Sequence, residues 1–180
     1  CVMHGIGAIA IAPYFGDYIG QEANLAQVRA WTRQADGGLG TLFEELSSGG
    51  ALAGGPTGGA LEQSFGWISD NLDLANRQGV RLIAYEGGQH LVGIGSAGAS
   101  EALTRLFTSA NRDPRMGDMY QRYLDGWNLR GGDLFVHFND IESYTRYGSW
   151  GALDTVRQLS SPKYDELRGY SLGDSSAPRF

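Results

Sequence analysis

Three short apolar runs, each bounded by glycine or proline, constrain this chain more than any other feature. Gly7 to Tyr14 (GAIAIAPY) is ended by Pro13 and Gly16, Gly79 to Glu86 (GVRLIAYE) runs into Gly87-Gly88, and Asp133 to Asn139 (DLFVHFN) follows Gly131-Gly132. Runs of this length, β-branched or aromatic inside and closed by turn residues, suit strands of a parallel sheet covered on both faces.

Helical periodicity fills the intervals. Leu25, Val28 and Trp31 share one face, as do Leu61, Phe65, Ile68 and Leu72. Leu103, Leu106 and Phe107 follow Ser100, a residue suited to cap a helix start. The longest stripe joins Met116, Met119, Tyr120, Tyr123, Leu124 and Trp127 before Gly131-Gly132, and it reads as core. The order strand, helices, strand, helices, strand, short helix predicts an α/β fold, and the long helical crossovers predict parallel pairing. The 28 glycines among 180 residues have no period. They exceed the usual ~7% about twofold, which signals long loops. The Gly-rich stretch 47–60 lacks a closing Gly-Lys-Ser/Thr and is expected to be a flexible insertion, not a phosphate-binding loop. The predicted organisation is one domain over 1–170 carrying that insertion, then a turn-rich tail over 171–180.

Charge and composition exclude several functions. With 14 Lys+Arg against 20 Asp+Glu, a net charge of −6 and no basic run, the chain lacks the clustered positive field that nucleic acid requires. Its longest apolar run, Ala8 to Pro13, falls far short of the roughly 18–20 residues of a membrane span. One cysteine excludes an intramolecular disulfide framework and a Cys-based zinc site. Cys1 is followed by Val2-Met3, not by the polar tether of a lipidated cysteine. No signal peptide is visible, and the chain is expected to begin inside a larger protein. His4, His90 and His137 lack metal-ligand spacing, so no metal is expected. Gly93-Ile-Gly95-Ser-Ala-Gly98 matches a dinucleotide fingerprint formally, but the preceding run ends seven residues earlier, at Glu86.

Parallel β/α proteins place their sites at the carboxyl ends of strands. There the runs deliver Tyr14; then Tyr85, Glu86, Gln89 and His90; then His137, Asn139 and Asp140, with Tyr147 and Trp150 following. A carboxylate among aromatics can act as nucleophile or acid/base. Aromatic faces pack on the C–H faces of sugar rings, while Asn, Gln and His bond hydroxyls. Tyr85, Gln89, His90, Asn139 and Trp150 are therefore the expected saccharide-binding residues.

Three segments carry a resemblance: Ile9 to Gly16, Ala84 to His90 (AYEGGQH) and Tyr147 to Leu153 (YGSWGAL). Together they resemble the last three strands of (β/α)8-barrel glycoside hydrolases of the retaining clan whose nucleophile is a glutamate ending the seventh strand. The resemblance implies a partial barrel of about three parallel strands with helical crossovers, its remainder lying upstream. It implies Glu86 as nucleophile, Tyr14 as the residue orienting it and Trp150 as the floor of a sugar subsite. It further implies an oligo- or polysaccharide substrate, an extracellular or periplasmic location, and hydrolysis that needs no cofactor. That clan takes its acid/base from an Asn-Glu pair, which this chain lacks, so the glycosidase activity is expected of the complete parent chain and this piece alone is expected to be inactive. A non-catalytic carbohydrate-binding protein is the alternative expectation, since fold does not fix activity.

Overall fold

Two of the three apolar runs become strands. The computed structural model describes residues 4–172 and orders them as β1 (Ala8–Ile11), α1 (Leu25–Trp31), α2 (Leu39–Ser47), α3 (Gly59–Gln78), β2 (Arg81–Ala84), α4 (Glu101–Ala110), α5 (Arg115–Leu129) and α6 (Pro162–Leu172). Short 3-10 turns occupy Asp17–Gly20, Glu22–Asn24 and Gly95–Ala99. β1 and β2 pair in parallel, with Ala8 opposite Arg81 and Ile11 opposite Ala84. The crossover joining them carries α1, α2 and α3.

The third run does not form a strand, which corrects the expected three-stranded partial barrel. Among the described residues the sheet has two strands, in a mixed α/β domain dominated by helix. Asp133 N donates to Leu82 O at 2.9 Å, Ala84 N to Leu134 O at 2.8 Å and Val136 N to Ala84 O at 3.0 Å, which yields one isolated bridge between Phe135 and Ala84. The reason lies in β2. It stops at Ala84 and the chain turns through Gly87 and Gly88, so the third run has no extended neighbour beyond that point. Instead Phe138 N bonds Gly87 O, and Asn139 N bonds Trp150 O.

Only one face of the sheet is covered. Leu82 and Ala84 are buried in the core, and Ile9, Ile11 and Phe135 pack against it. On the other face Ala10 is exposed, and Leu134 and Val136 of the third run keep 56% and 44% of their surface. Apolar residues at successive positions do not guarantee two covering layers.

The helices follow the predicted periodicity closely. All six members of the α5 stripe are buried, each apolar side chain contributing about 1.5–3 kcal/mol in removed surface. Leu61, Phe65 and Ile68 of α3 and Leu103, Leu106 and Phe107 of α4 join the same core. Ser100 caps α4 by accepting the Leu103 N–H at 3.4 Å. The Gly-rich stretch is anchored. The fully buried Glu45 accepts the N–H groups of Ala51 and Leu52 at 2.8 and 2.9 Å and the Tyr18 hydroxyl at 2.7 Å. α6 runs through Leu172, past the expected start of the tail at Ser171, while 173–180 and Cys1 lie outside the described residues. No described helix is long and apolar enough to cross a membrane.

Candidate active site at the ends of the parallel strands

The loops leaving β1 and β2 stay hydrogen-bonded to each other. Phe15 N donates to Gly88 O at 3.0 Å and His90 N to Phe15 O at 2.8 Å, bridging Phe15 and Gln89. Tyr14 therefore stands beside the Glu86–His90 turn. Two tyrosines of α5 support this turn from inside the core. Tyr123 donates to Pro13 O at 2.5 Å, and Tyr120 accepts the Gln89 N–H at 3.2 Å. Their closeness explains the Gly-Gly after Glu86. A Cβ on Gly87 would lie 2.9 Å from the Tyr123 hydroxyl, and one on Gly88, whose φ is +143°, 2.7 Å from that of Tyr120.

Three rings meet over this turn. Tyr14 lies 5.6 Å from His90 and 5.9 Å from Trp150, and His90 lies 5.0 Å from Trp150, all edge to face. Phe138 reaches Trp150 at 6.2 Å. Such edge-on contacts fix ring orientation. Burial raises the Tyr14 hydroxyl above the ordinary tyrosine range, and the Glu86 carboxylate adds to the rise by its charge and as a hydrogen-bond acceptor. Tyr14 thus stays protonated and able to donate toward Glu86, which is half-buried. Tyr85 beside it is exposed. Trp150 is held by its indole N–H, which donates to Tyr147 O at 3.0 Å.

The structure brings Tyr14, Tyr85, Glu86, His90 and Trp150 together and sets two other expected residues apart. Gln89 is 1% exposed, and its side-chain amide is occupied: Nε2 donates to Ser149 O at 2.9 Å while Oε1 accepts the Leu91 N–H at 2.7 Å. It braces the Trp150 backbone from behind. Asn139 donates to Glu142 at 2.8 Å and pairs its backbone with Trp150 and Ala152, so its amide faces the 139–153 loop. His137 lies under the turn with Nδ1 3.2 Å from Gly87 O, and burial, with a further contribution from the Lys163 charge, lowers its pKa to about 4.

Lys163 escaped the sequence reading. It is 0% exposed, donates to Ser149 O at 2.5 Å and stands 4.6 Å over the Tyr144 ring. A lysine opening a helix reads as surface, and no local pattern marks it otherwise. Tyr120 and Tyr123 carried a faint signal, being hydroxyl-bearing residues in a buried stripe that phenylalanine would fill.

The Gly93–Gly98 motif forms a tight turn packed on its own backbone that leads into a 3-10 turn, not into the first turn of an α-helix as a dinucleotide fingerprint does. A Cβ on Gly93 would lie 2.5 Å from Ala97 O, and one on Gly98 2.9 Å from Gly93 O. Among the described residues no group of three or more His, Cys, Asp and Glu side chains is placed to hold a metal ion. The chain matches no known protein family, no curated protein and no solved structure.

Proposed function

We propose that this protein binds a saccharide against Trp150 and hydrolyses glycosidic bonds with retention, using Glu86 as nucleophile. The observation that carries the reading is the meeting of Tyr14, His90 and Trp150 around the Glu86 turn, with Tyr14 facing the carboxylate, at the carboxyl ends of two parallel strands. A half-buried aromatic cluster beside a half-buried carboxylate suits a sugar ring whose anomeric carbon must meet an oxygen nucleophile. The resemblance of the Ala84–His90 segment to the retaining glycosidases supports the same assignment.

In this reading a Glu86 oxygen attacks the anomeric carbon as the glycosidic C–O bond breaks, and a general acid gives the leaving oxygen a proton. Water, deprotonated by the same group, then attacks the anomeric carbon and frees the carboxylate. Tyr14 orients Glu86 throughout. The acid is not assigned to a residue of this chain. Its absence as an Asn-Glu pair favours a second reading, a non-catalytic saccharide binder on the same surface. In this reading the protein acts outside the cytoplasm, as the resemblance to the retaining glycosidases implies.

Glycosides with a dinitrophenolate leaving group separate the two readings, because such a group departs without an acid. Across a panel of sugars the enzyme reading expects turnover that falls by several orders of magnitude in Glu86→Gln. Sugar binding without turnover, abolished by Trp150→Ala, establishes the binder. Retention of more than about a tenth of turnover in Glu86→Gln, a loss below ~1.4 kcal/mol, removes Glu86 as nucleophile.

A further inference from the structure

We propose that Arg146 and Tyr147 form a second subsite beside Trp150 for a carboxylate-bearing sugar, so that the preferred saccharide is acidic. This inference rests on the saccharide reading and adds a substrate class to it.

A groove of about 560 Å³ continues from the ring cluster, sharing His90 and Trp150 with it and passing Tyr147 and Arg146 to the Gly93–Ala99 turn. No aspartate or glutamate lines it, although the chain carries a net charge of −6. At the Gly95 end the Glu22 carboxylate accepts the Ser96 hydroxyl at 2.8 Å, while the wall of the groove itself carries one charge, which is positive. Arg146 supplies it from a tight turn in which Thr145 and Gly148 exchange both backbone hydrogen bonds, at 2.9 and 3.1 Å, which leaves Arg146 and Tyr147 at the tip.

The Arg146 guanidinium is stacked and oriented but not neutralised. It lies 4.7 Å from the Tyr147 ring centre and donates to the Tyr147 hydroxyl at 2.6 Å. Arg146, like several other surface arginines, has no carboxylate partner among the described residues, whereas Arg81, Arg105, Arg112 and Arg115 each have one. The acid of the adjoining cavity, Glu101, is bonded to Arg105. A guanidinium presents five N–H donors in a planar fork, so after the Tyr147 bond it still offers a bidentate edge that matches a carboxylate. Tyr147 as a residue is 69% exposed, and its carbonyl holds the Trp150 indole, so the two aromatic surfaces keep a set spacing. One sugar ring on Trp150 places its neighbour by Tyr147, with its carboxylate toward Arg146.

Affinity electrophoresis of the intact protein tests this in gels containing polygalacturonate, glucuronoxylan or alginate, each beside its carboxyl-reduced, neutral counterpart. At least one acidic polymer is expected to retard the protein, with the reduced form binding about tenfold more weakly. Arg146→Gln, at an exposed turn tip, is expected to erase that preference and keep binding to the neutral polymer, while Trp150→Ala loses both. Equal retardation by acidic and reduced polymers, or a preference that survives Arg146→Gln, overturns the acidic subsite and leaves the saccharide reading standing. Retardation by none of these polymers, or by any neutral polysaccharide, overturns both.

Discussion

Gln89 Nε2 and Lys163 Nζ end on one atom, the carbonyl oxygen of Ser149, at 2.9 and 2.5 Å. One donor comes from the turn behind Glu86 and the other from α6, and the acceptor immediately precedes Trp150. The aromatic floor of the site is thereby tied to the carboxylate's own turn through buried polar groups, not through packing alone.

The two donors are not equivalent. Gln89→Leu removes a donor and also orphans the buried Leu91 N–H, a loss of about 2 kcal/mol or more. Lys163→Met leaves Ser149 O bonded to Gln89 and relieves the cost of a buried amine, whose pKa burial holds well below the usual lysine range. Urea unfolding is expected to rank Gln89→Leu as clearly the more damaging. The opposite ranking removes the shared-acceptor account.

Gly88→Ala forces a side chain onto a φ of +143° and into the Tyr120 hydroxyl. The expected cost is about 2 kcal/mol or more. In a Tyr120→Phe background the collision is relieved but the backbone strain stays, so the cost of Gly88→Ala should shrink without vanishing. An unchanged cost would show that the hydroxyl contact is irrelevant to this turn.

Glu45→Ala leaves the Ala51 and Leu52 N–H groups without their acceptor, at about 3 kcal/mol, and Glu45→Gln, which keeps one accepting oxygen, loses less. Limited proteolysis should cut within residues 48–58 in Glu45→Ala long before it cuts the parent. Equal protection in the two proteins contradicts the anchoring role.

Acid is expected to destabilise the fold through His137. Its pKa of about 4 in the folded chain lies below the ordinary 6.5, so between those values the unfolded chain binds the extra proton. Stability is independent of this group above pH ~6.5, falls as pH drops through the window, and has lost about 3 kcal/mol near pH 4. Carboxylates titrate in the same range, so the relevant curve is parent minus His137→Gln. A flat difference from pH 7 to pH 4 refutes the assignment.

The sequence pattern made the helices legible because burial there repeats every three to four residues. Met116 to Trp127 could hardly serve as anything but a core stripe. The Leu134–Phe138 run was misleading for a physical reason. Residue type records the capacity to be buried, while cover depends on which layer lies over that face, and β2 ends too early to keep the run extended. Tyr14, Glu86, His90 and Trp150 converge because the loops leaving parallel strands gather at one end of the sheet. Gln89 was readable as a hydrogen-bonding residue but not as one whose partners are all internal, since type names the bonding capacity and only the fold names the partner. Lys163 was invisible for the complementary reason.

β2 alone among the described strands has backbone partners along both edges, β1 on one side and residues 133–136 on the other. In amide-exchange terms such a segment opens only with the whole domain, whereas the 145–148 turn is held locally and opens at far lower free energy. Glu86 lies two residues beyond the end of β2, and Tyr147 sits on that turn. The carboxylate's turn and the 145–148 rim of the neighbouring groove therefore breathe on separate clocks: the rim can part while the Glu86 turn keeps its place.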